Sequence, residues 1–257
     1  MTNEPDGFRV ERQGQVATIT LDVPGKLNRV SIAARDQLGR VFDELGADDG
    51  VRVIVLTGAG EAFTAGGDIA GFLEAEPEHL SRLAWNVAAP ERCPKPVVAR
   101  LRGYAFGVGL ELALACDFRI AADDVELALP EIKLGMIPGS GGTQRLARLI
   151  GLGRAKNAIM RGRRIAAQEA LALGLVTEVV PVAELDRAVA RLTEELTALS
   201  PLALAVAKRV LNHAYDGPLP VGLELEGLAY GLLRTTQDFR EGVEAFGEKR
   251  PPRFEGR

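Results

Sequence analysis

The sequence contains few of the residues that metal centres and disulfide frameworks require. Its 257 residues include two cysteines and two histidines. Cys93 and Cys116 lie apart from His79 and His213, and no group of them has the spacing of zinc ligands. Two isolated thiols are typical of a reduced intracellular protein. We therefore expect no metal site and no disulfide.

Aromatic residues, excess positive charge and long apolar runs are also scarce. Aromatic side chains make up 5% of the chain and the formal net charge is −4, so neither a stacking platform nor a basic surface for nucleic acid is expected. No apolar run reaches the roughly 18 residues of a membrane-spanning helix. Residues 1–7 are acidic and polar, unlike a secretory signal or a transit peptide. These absences predict a cytoplasmic protein with no nucleic-acid partner and no membrane partner.

The sequence does contain an alternation of strand-like and helix-like segments. The segment Val16–Leu21 alternates between apolar and polar residues, as a strand does. Ser31 can cap a helix whose apolar residues between 38 and 45 recur at helical spacing. Residues 51–57 are β-branched and nearly all apolar, which is typical of a strand covered on both faces. This order of strand, helix and strand indicates an α/β fold.

The alternation continues to about residue 180, and the remainder has helical spacing. Residues 69–90, which Pro77 interrupts, show no clear period. We predict one core, residues 1–185, that carries the functional site, and a helical C-terminal region, residues 186–257. The apolar faces of that region predict contact with a neighbouring subunit, and hence an oligomer. Further segments with a clear pattern are the strands 97–101, 118–121 and 125–129, the helices 110–115, 167–173, 185–199 and 238–249, and a helix that begins at Ser200.

Two glycine-bearing loops lead into predicted helices, one at residues 64–68 and one at residues 107–109. Glycine allows a backbone to approach a ligand closely, and the free N–H groups of a helix N-terminus favour negative charge. Two such amides that converge on one point would stabilise an oxyanion, by about 3–4 kcal/mol per donor. From the spacing alone, tight turns that bind nothing are an equally good interpretation.

Two glutamates lie close to these glycines in the sequence. Glu111 falls in the first turn of a helix whose neighbouring residues are leucine and alanine, which predicts that its carboxylate is buried. Glu131 follows Pro130 at the end of a predicted strand. Each alone is more often structural than catalytic. Together with the glycine loops they predict a pair that holds a water molecule and moves protons, one as base and one as acid.

Other common catalytic motifs are missing. No serine lies in a G-x-S-x-G turn of the kind that α/β-hydrolases use. The phosphate-binding pattern G-x-x-x-x-G-K-[ST] is absent. The glycines of residues 107–109 lack the third glycine of a dinucleotide-binding fingerprint.

The same residues resemble the crotonase (enoyl-CoA hydratase/isomerase) superfamily, and the resemblance extends over essentially the whole chain. The resemblance implies an α/β fold, a spiral of repeated ββα units followed by a helical C-terminal region that assembles trimers. Such trimers often pair, so the resemblance implies a homotrimer or homohexamer. The segments that carry it are residues 26–28, 63–69, 103–111, 130–131, 137–146, 170–176 and 241–250.

The resemblance also implies a substrate and the residues that bind it. The substrate would be an acyl-CoA, with coenzyme A present as part of the substrate and no separate cofactor. The backbone N–H groups of Ala65 and Val108 would form an oxyanion hole for a thioester enolate, and the main chain at Gly139 would help to position water. Residues expected to contact the substrate or its coenzyme A are Lys26, Ala65, Gly66, Gly67, Asp68, Ile69, Phe246 and Lys249.

Glu111 and Glu131 match the two catalytic glutamates of family members that hydrate 2-enoyl-CoA. The implied reaction is a syn addition of water across the 2,3 double bond, in fatty-acid β-oxidation or related degradation. Glu111 would deprotonate the water and Glu131 would protonate the α-carbon. A Δ3,Δ2-enoyl-CoA isomerase, another crotonase for a specialised acyl-CoA and a non-catalytic acyl-CoA-binding paralogue remain alternatives. Leu129, Arg29 and Val30 depart from the residues usual in hydratases and could alter substrate preference.

Overall fold

In the computed structural model, which describes residues 7–257, nine strands form two sheets. Six strands build the large sheet in the order β1-β2-β3-β4-β6-β9, and three build a small one in the order β5-β7-β8. In the large sheet β1 and β2 pair antiparallel, and the other neighbours pair parallel. The strands are β1 Phe8–Gln13, β2 Val16–Leu21, β3 Val53–Gly58, β4 Val97–Leu101, β5 Tyr104–Phe106, β6 Phe118–Ala122, β7 Glu126–Ala128, β8 Arg164–Ala166 and β9 Glu178–Val180.

The described chain also forms twelve α-helices. Two of them start at a serine cap, because the hydroxyls of Ser31 and Ser200 accept hydrogen bonds from the N–H groups of Ala34 and Ala203. Both caps confirm the prediction from the sequence. The helices are α1 Ile32–Ala47, α2 Ile69–Glu74, α3 Pro77–Val87, α4 Ala89–Arg92, α5 Val108–Ala115, α6 Gly142–Ile150, α7 Leu152–Ile159, α8 Ala167–Ala172, α9 Leu185–Thr197, α10 Pro201–Asn212, α11 Leu219–Leu233 and α12 Gln237–Glu248.

Helices cover both faces of the large sheet. Leu56 of β3 belongs to the larger apolar cluster, together with side chains of α1, α5 and α6. Val55, the preceding residue, faces the smaller cluster, which Leu185 and Val189 of α9 complete. A strand buried on both faces must be apolar throughout, so the prediction for residues 51–57 is confirmed.

The predicted boundary between residues 185 and 186 falls at the first residue of α9. Because α9 packs on the sheet, this helix shares an apolar cluster with the core. The division into residues 1–185 and 186–257 stays a prediction. Within residues 7–257, no helix combines the length and the apolar character that crossing a membrane requires.

Helix α11 leaves more large apolar side chains in solvent than any other helix of residues 7–257. None of its residues is buried in the single chain. Exposed apolar surfaces of this kind are typical of protein contact surfaces, and the predicted oligomer stays a prediction. Its exposed large apolar residues are Leu219, Val221, Leu223, Leu225, Leu228, Tyr230 and Leu232.

Candidate active site

A cavity of about 170 Å³ lies where β5 passes into α5. Its floor and walls come from α1, the loop before α2, helices α2 and α3, and the loop between β7 and α6. Both glutamates singled out in the sequence reach it, as do both glycine loops. The lining residues are Arg35, Ala65, Gly66, Gly67, Ile69, Phe72, Leu80, Leu83, Phe106, Gly107, Val108, Glu111, Pro130, Glu131, Leu134, Met136, Ile137, Gly139 and Ser140.

Glu111 is buried, with 2% of its surface exposed, as predicted from its apolar neighbours. Its Oε1 atom accepts hydrogen bonds from the N–H groups of Ser140, at 2.7 Å, and Gly142, at 2.9 Å. These donors lie at the N-terminus of α6, where free amides favour a negative charge. Burial raises the pKa of Glu111, and the two amides and the Arg35 guanidinium oppose that rise. The carboxylate is therefore fixed in orientation, with its second oxygen left for the cavity.

Glu131 has very different surroundings. It begins a short 3₁₀ turn, Glu131–Leu134, directly after Pro130. Its pKa is raised to about 7, chiefly by burial and also by the charge of Glu111, whereas its own backbone N–H and Arg35 oppose the rise. Among the residues that the structure describes, nothing donates a hydrogen bond to its buried Oε2 atom. A carboxyl group with this pKa and one oxygen without a donor is suited to carry a proton near neutral pH.

Among the main-chain N–H groups beside the cavity, those of Val108 and Gly67 have no acceptor in residues 7–257. One belongs to Val108, the first residue of α5, where helix geometry leaves the amide free. The preceding Gly107 has φ 53°, a conformation that favours glycine. The other belongs to Gly67, whose neighbours Gly66 and Asp68 bond to Val30 while its own N–H does not. Two free amides beside one cavity are the donors that an oxyanion requires.

The prediction that Ala65 supplies one of these donors is corrected by the structure. Its N–H donates to the carbonyl oxygen of Leu27 at 2.9 Å, so it is already engaged. Gly67, two residues later and predicted only as a coenzyme A contact, has the free amide. The sequence motif located the loop, but the alternation of amide directions along it is a backbone property that residue types do not reveal.

Asn28 explains why a motif at residues 26–28 accompanies the site. Its side-chain amide donates to the carbonyl oxygens of Ala59 and Ala62, and its oxygen accepts from the N–H of Val23. The residue is buried and adopts φ 55°, a left-handed conformation that asparagine tolerates. It thus fixes the chain beside Leu27, whose carbonyl holds the loop that carries Gly67.

The other predicted site residues fall into three groups. Gly66, Ile69 and Gly139 line the cavity, and the role of Gly139 in positioning water stays a prediction. Lys26 and Asp68 line a neighbouring groove together with Arg29, which pairs with Asp68 at 3.7 Å. Phe246 and Lys249 belong to the end of α12 and line neither the cavity nor the groove in the single chain. The last two contacts remain predictions.

Sequence reasoning missed two polar residues of the cavity, Arg35 and Ser140. Arg35 lies on α1 with only 4% of its surface exposed, and its Nη1 is 3.4 Å from the hydroxyl oxygen of Ser140. The only signal in the sequence was its position on the apolar face of α1, where an arginine is out of place. Ser140 belonged to a glycine-rich segment that gave no reason to single it out.

Comparison with known proteins agrees with this geometry. A sequence model of the enoyl-CoA hydratase/isomerase family matches residues 11–257. YngF of Bacillus subtilis, whose naming as an enoyl-CoA hydratase/isomerase is itself provisional, is 40% identical over 254 residues, which cover 97% of each chain. The short-chain-enoyl-CoA hydratase of Clostridium acetobutylicum is 36% identical over 246 residues, 94% of each chain.

Solved structures extend the similarity to the whole backbone. The crystal structure of an enoyl-CoA hydratase from Bacillus anthracis matches with a TM-score of 0.92 at 39% identity, and covers 98% of this chain and 100% of that one. Agreement of this extent confirms the predicted crotonase fold. The chain belongs to the enoyl-CoA hydratase/isomerase family of the crotonase superfamily.

Proposed function

We propose that this protein is an enoyl-CoA hydratase, which adds water syn across the 2,3 double bond of a 2-enoyl-CoA. The observation that carries the proposal is the unequal pair of glutamates at one apolar cavity. Glu111 accepts two backbone N–H groups, whereas Glu131 has a pKa near 7 and an oxygen without a donor. A hydratase needs such a pair, because one group must remove a proton from water and the other must supply one to carbon.

The reaction follows from these positions. Glu111 takes a proton from a water molecule whose oxygen forms a bond to C3 of the enoyl group. The electrons of the double bond move to the thioester oxygen, which the amides of Gly67 and Val108 stabilise as an enolate. The enolate then takes the proton of Glu131 at C2, and the thioester carbonyl forms again. Gly139, exposed at the cavity mouth, is placed to contact the entering water.

The groove beside the cavity supports a place for coenzyme A. Lys26 supplies positive charge for phosphates, close to the Gly67 loop that would receive the thioester, whereas Arg29 in the same groove is paired with Asp68. The exposed apolar face of α11 supports the predicted homotrimer or homohexamer, in which Phe246 and Lys249 could meet a neighbour's substrate. Sedimentation velocity tests the assembly, and a monomer at micromolar concentration would contradict it. A cytoplasmic location and a role in fatty-acid degradation remain predictions from the sequence.

The first experiment is an absorbance assay. Hydration of crotonyl-CoA or a longer 2-enoyl-CoA removes the conjugated double bond, so the ultraviolet absorbance of the thioester falls. A fall that depends on the enzyme supports the hydratase. Formation of the conjugated absorbance from a 3-enoyl-CoA, without loss from a 2-enoyl-CoA, would replace it by the isomerase. Binding of acyl-CoA with neither change would indicate a non-catalytic paralogue.

The rate of hydration is expected to fall at high pH. The reacting form of the pair holds one proton, which Glu131 donates, and burial places the pKa of Glu131 at about 7. As the pH rises through that value the proton is lost, so kcat/KM should decline by about tenfold per pH unit at higher pH. The same decline applies to dehydration, because the pair needs one proton in either direction. A kcat/KM that stays constant to pH 9 would contradict the assignment of the acid.

Replacing Gly109 by valine is expected to damage the oxyanion hole. A Cβ at this position would lie 2.4 Å from Cγ2 and 3.3 Å from the carbonyl oxygen of Thr64, so α5 and the Gly67 loop must separate. The loss of one donor lowers kcat by about 10²–10³. The matched control is Gly153→Val on α7, where a Cβ meets nothing within 4 Å. Equal kcat values for the two variants would count against the assigned amides.

A further inference from the structure

Arg35 is a buried cation that the proposed hydration does not use. It is the one arginine or lysine among the lining residues of the cavity, and 4% of its surface is exposed. No carboxylate oxygen of residues 7–257 lies within 4.0 Å of its guanidinium nitrogens, and its Nε atom has no acceptor. A buried guanidinium that bonds to no carboxylate keeps donors for a partner from outside the chain.

A second buried arginine differs from Arg35 in that the chain itself supplies acceptors for its guanidinium. Arg119, with 6% of its surface exposed, donates to the carbonyl oxygens of Ala113, Cys116 and Leu175. Arg35 makes one long contact instead, 3.4 Å from the hydroxyl oxygen of Ser140. The two glutamates of the site stabilise the charge of Arg35 at longer range without bonding to it. Arg35 is therefore held in place but left with free donors.

The guanidinium of Arg35 lies beside Gly67 and the ring of Phe72, where the glycine loop meets the apolar wall of the cavity. The guanidinium carbon lies 5.2 Å from the centre of the Phe72 ring, and Nη2 lies so near Gly67 that a Cβ there would approach it to 2.6 Å. The wall beyond is apolar, with Leu80 and Leu83 of α3. An alkyl chain would pack against this wall but leave the guanidinium donors without an acceptor. An acyl chain that ends in a carboxylate would pack against the wall and also accept hydrogen bonds from the guanidinium.

From this arrangement we propose that Arg35 is a specificity-determining residue, which selects a short 2-enoyl-CoA whose acyl chain ends in a carboxylate. The planar guanidinium can donate two parallel hydrogen bonds to a carboxylate, a geometry that an ammonium group cannot reproduce. Glu111 and Glu131 remain the groups that react. The inference rests on the proposed acyl-CoA substrate and names the end of its acyl chain.

Binding to the wild-type protein gives the first test, and it needs no turnover. Calorimetry compares two saturated thioesters of equal length, glutaryl-CoA, which ends in a carboxylate, and pentanoyl-CoA, which ends in a methyl group. We expect the first to bind about tenfold or more tightly, as a charge-assisted pair in an apolar site predicts. Equal affinity, or tighter binding of pentanoyl-CoA, would overturn the proposal whether or not the protein proves to be a hydratase.

The second test compares substrates across variants. The kcat/KM ratio of glutaconyl-CoA to 2-pentenoyl-CoA should fall about tenfold or more in Arg35→Met, and part of the preference should survive in Arg35→Lys. Arg100→Met is the control, since Arg100 is also largely buried but pairs with Asp186 and Thr57 outside the cavity. That variant should keep the wild-type ratio. An Arg35→Met variant that loses activity on both substrates by the same factor would show an electrostatic or structural role instead.

Discussion

Glu131→Gln is expected to lower kcat for hydration by about 10²–10⁴, the range that a positioned general acid contributes. Glutamine keeps the size of the side chain but has no proton with a pKa near 7 to give to the α-carbon. Nothing in the described chain donates to Oε2 of Glu131, so the substitution breaks no hydrogen bond to that atom. The enolate can still form at the hole, but it lacks its proton donor. Steady-state kinetics with crotonyl-CoA measures the loss.

Two controls separate a chemical effect from a structural one. Thermal unfolding of Glu131→Gln should occur near the wild-type temperature, and affinity for a saturated acyl-CoA should be retained. Glu126→Gln, on β7 and paired with Arg164 at 2.7 Å outside the cavity, should leave kcat unchanged. Wild-type turnover by Glu131→Gln would show that another group protonates the α-carbon.

Glu111→Gln is expected to lower kcat by a similar factor, for the opposite reason. The amide oxygen of glutamine can still accept from Ser140 and Gly142, so the fold around α6 is kept. Its amide nitrogen can orient a water molecule but cannot take its proton. Hydration should therefore lose about 10²–10⁴ in kcat with little change in substrate affinity. The absorbance assay measures both quantities.

Glu111→Ala is the informative companion, because it removes the acceptor as well as the base. It leaves two N–H groups at the buried start of α6 without their partner, at a cost of about 1–3 kcal/mol for each. We expect this variant to unfold at a lower temperature than Glu111→Gln, although both are inactive. Equal thermal stability of the two variants would mean that the carboxylate does not anchor α6. Substantial hydration by Glu111→Gln would show that another base removes the proton.

Much of the fold could be predicted because its signals are local or periodic. Residues 97–101 were expected to form a strand and are β4 without a shift, and the glycine that ends the predicted helix 167–173 has φ 70° at Gly174. Strands β5 and β8 contain three residues each, too few for a period to show. Strand β1 is mostly exposed, so its short alternation at residues 8–11 does not mark a buried face, and the apolar residues of α11 do not gather on one side.

Residues 69–90 could not be predicted because the position of a proline within a helix is ambiguous in the sequence. Read from the sequence alone, Pro77 interrupts a helix, but in the structure it is the first residue of α3. Its fixed φ and missing N–H suit that position, so one broken pattern becomes two short helices. These helices supply Phe72, Leu80 and Leu83 to the acyl wall.

The residues of the candidate site also differ in whether a local signal in the sequence could identify them. Glu111 and Glu131 could be singled out because a carboxylate among apolar residues or glycines is conspicuous. The identity of the second amide could not, since it depends on which way each peptide of residues 64–68 turns. Arg35 could not be placed either, because the distance between α1 and the loop at Ser140 is set by tertiary packing of segments 105 residues apart in the chain.

The attachment of Glu111 to the start of α6 has a use in spectroscopy. The amide protons of Ser140 and Gly142 bond to the same carboxylate oxygen, so their resonances sense its charge directly. Ionisation of Glu111 strengthens both bonds and moves both resonances downfield together, while amides elsewhere in α6 stay in place. With ¹⁵N labels on serine and glycine, the two amide resonances thus report the protonation state of the base. That state can be followed during titration or ligand addition without altering any residue of the site.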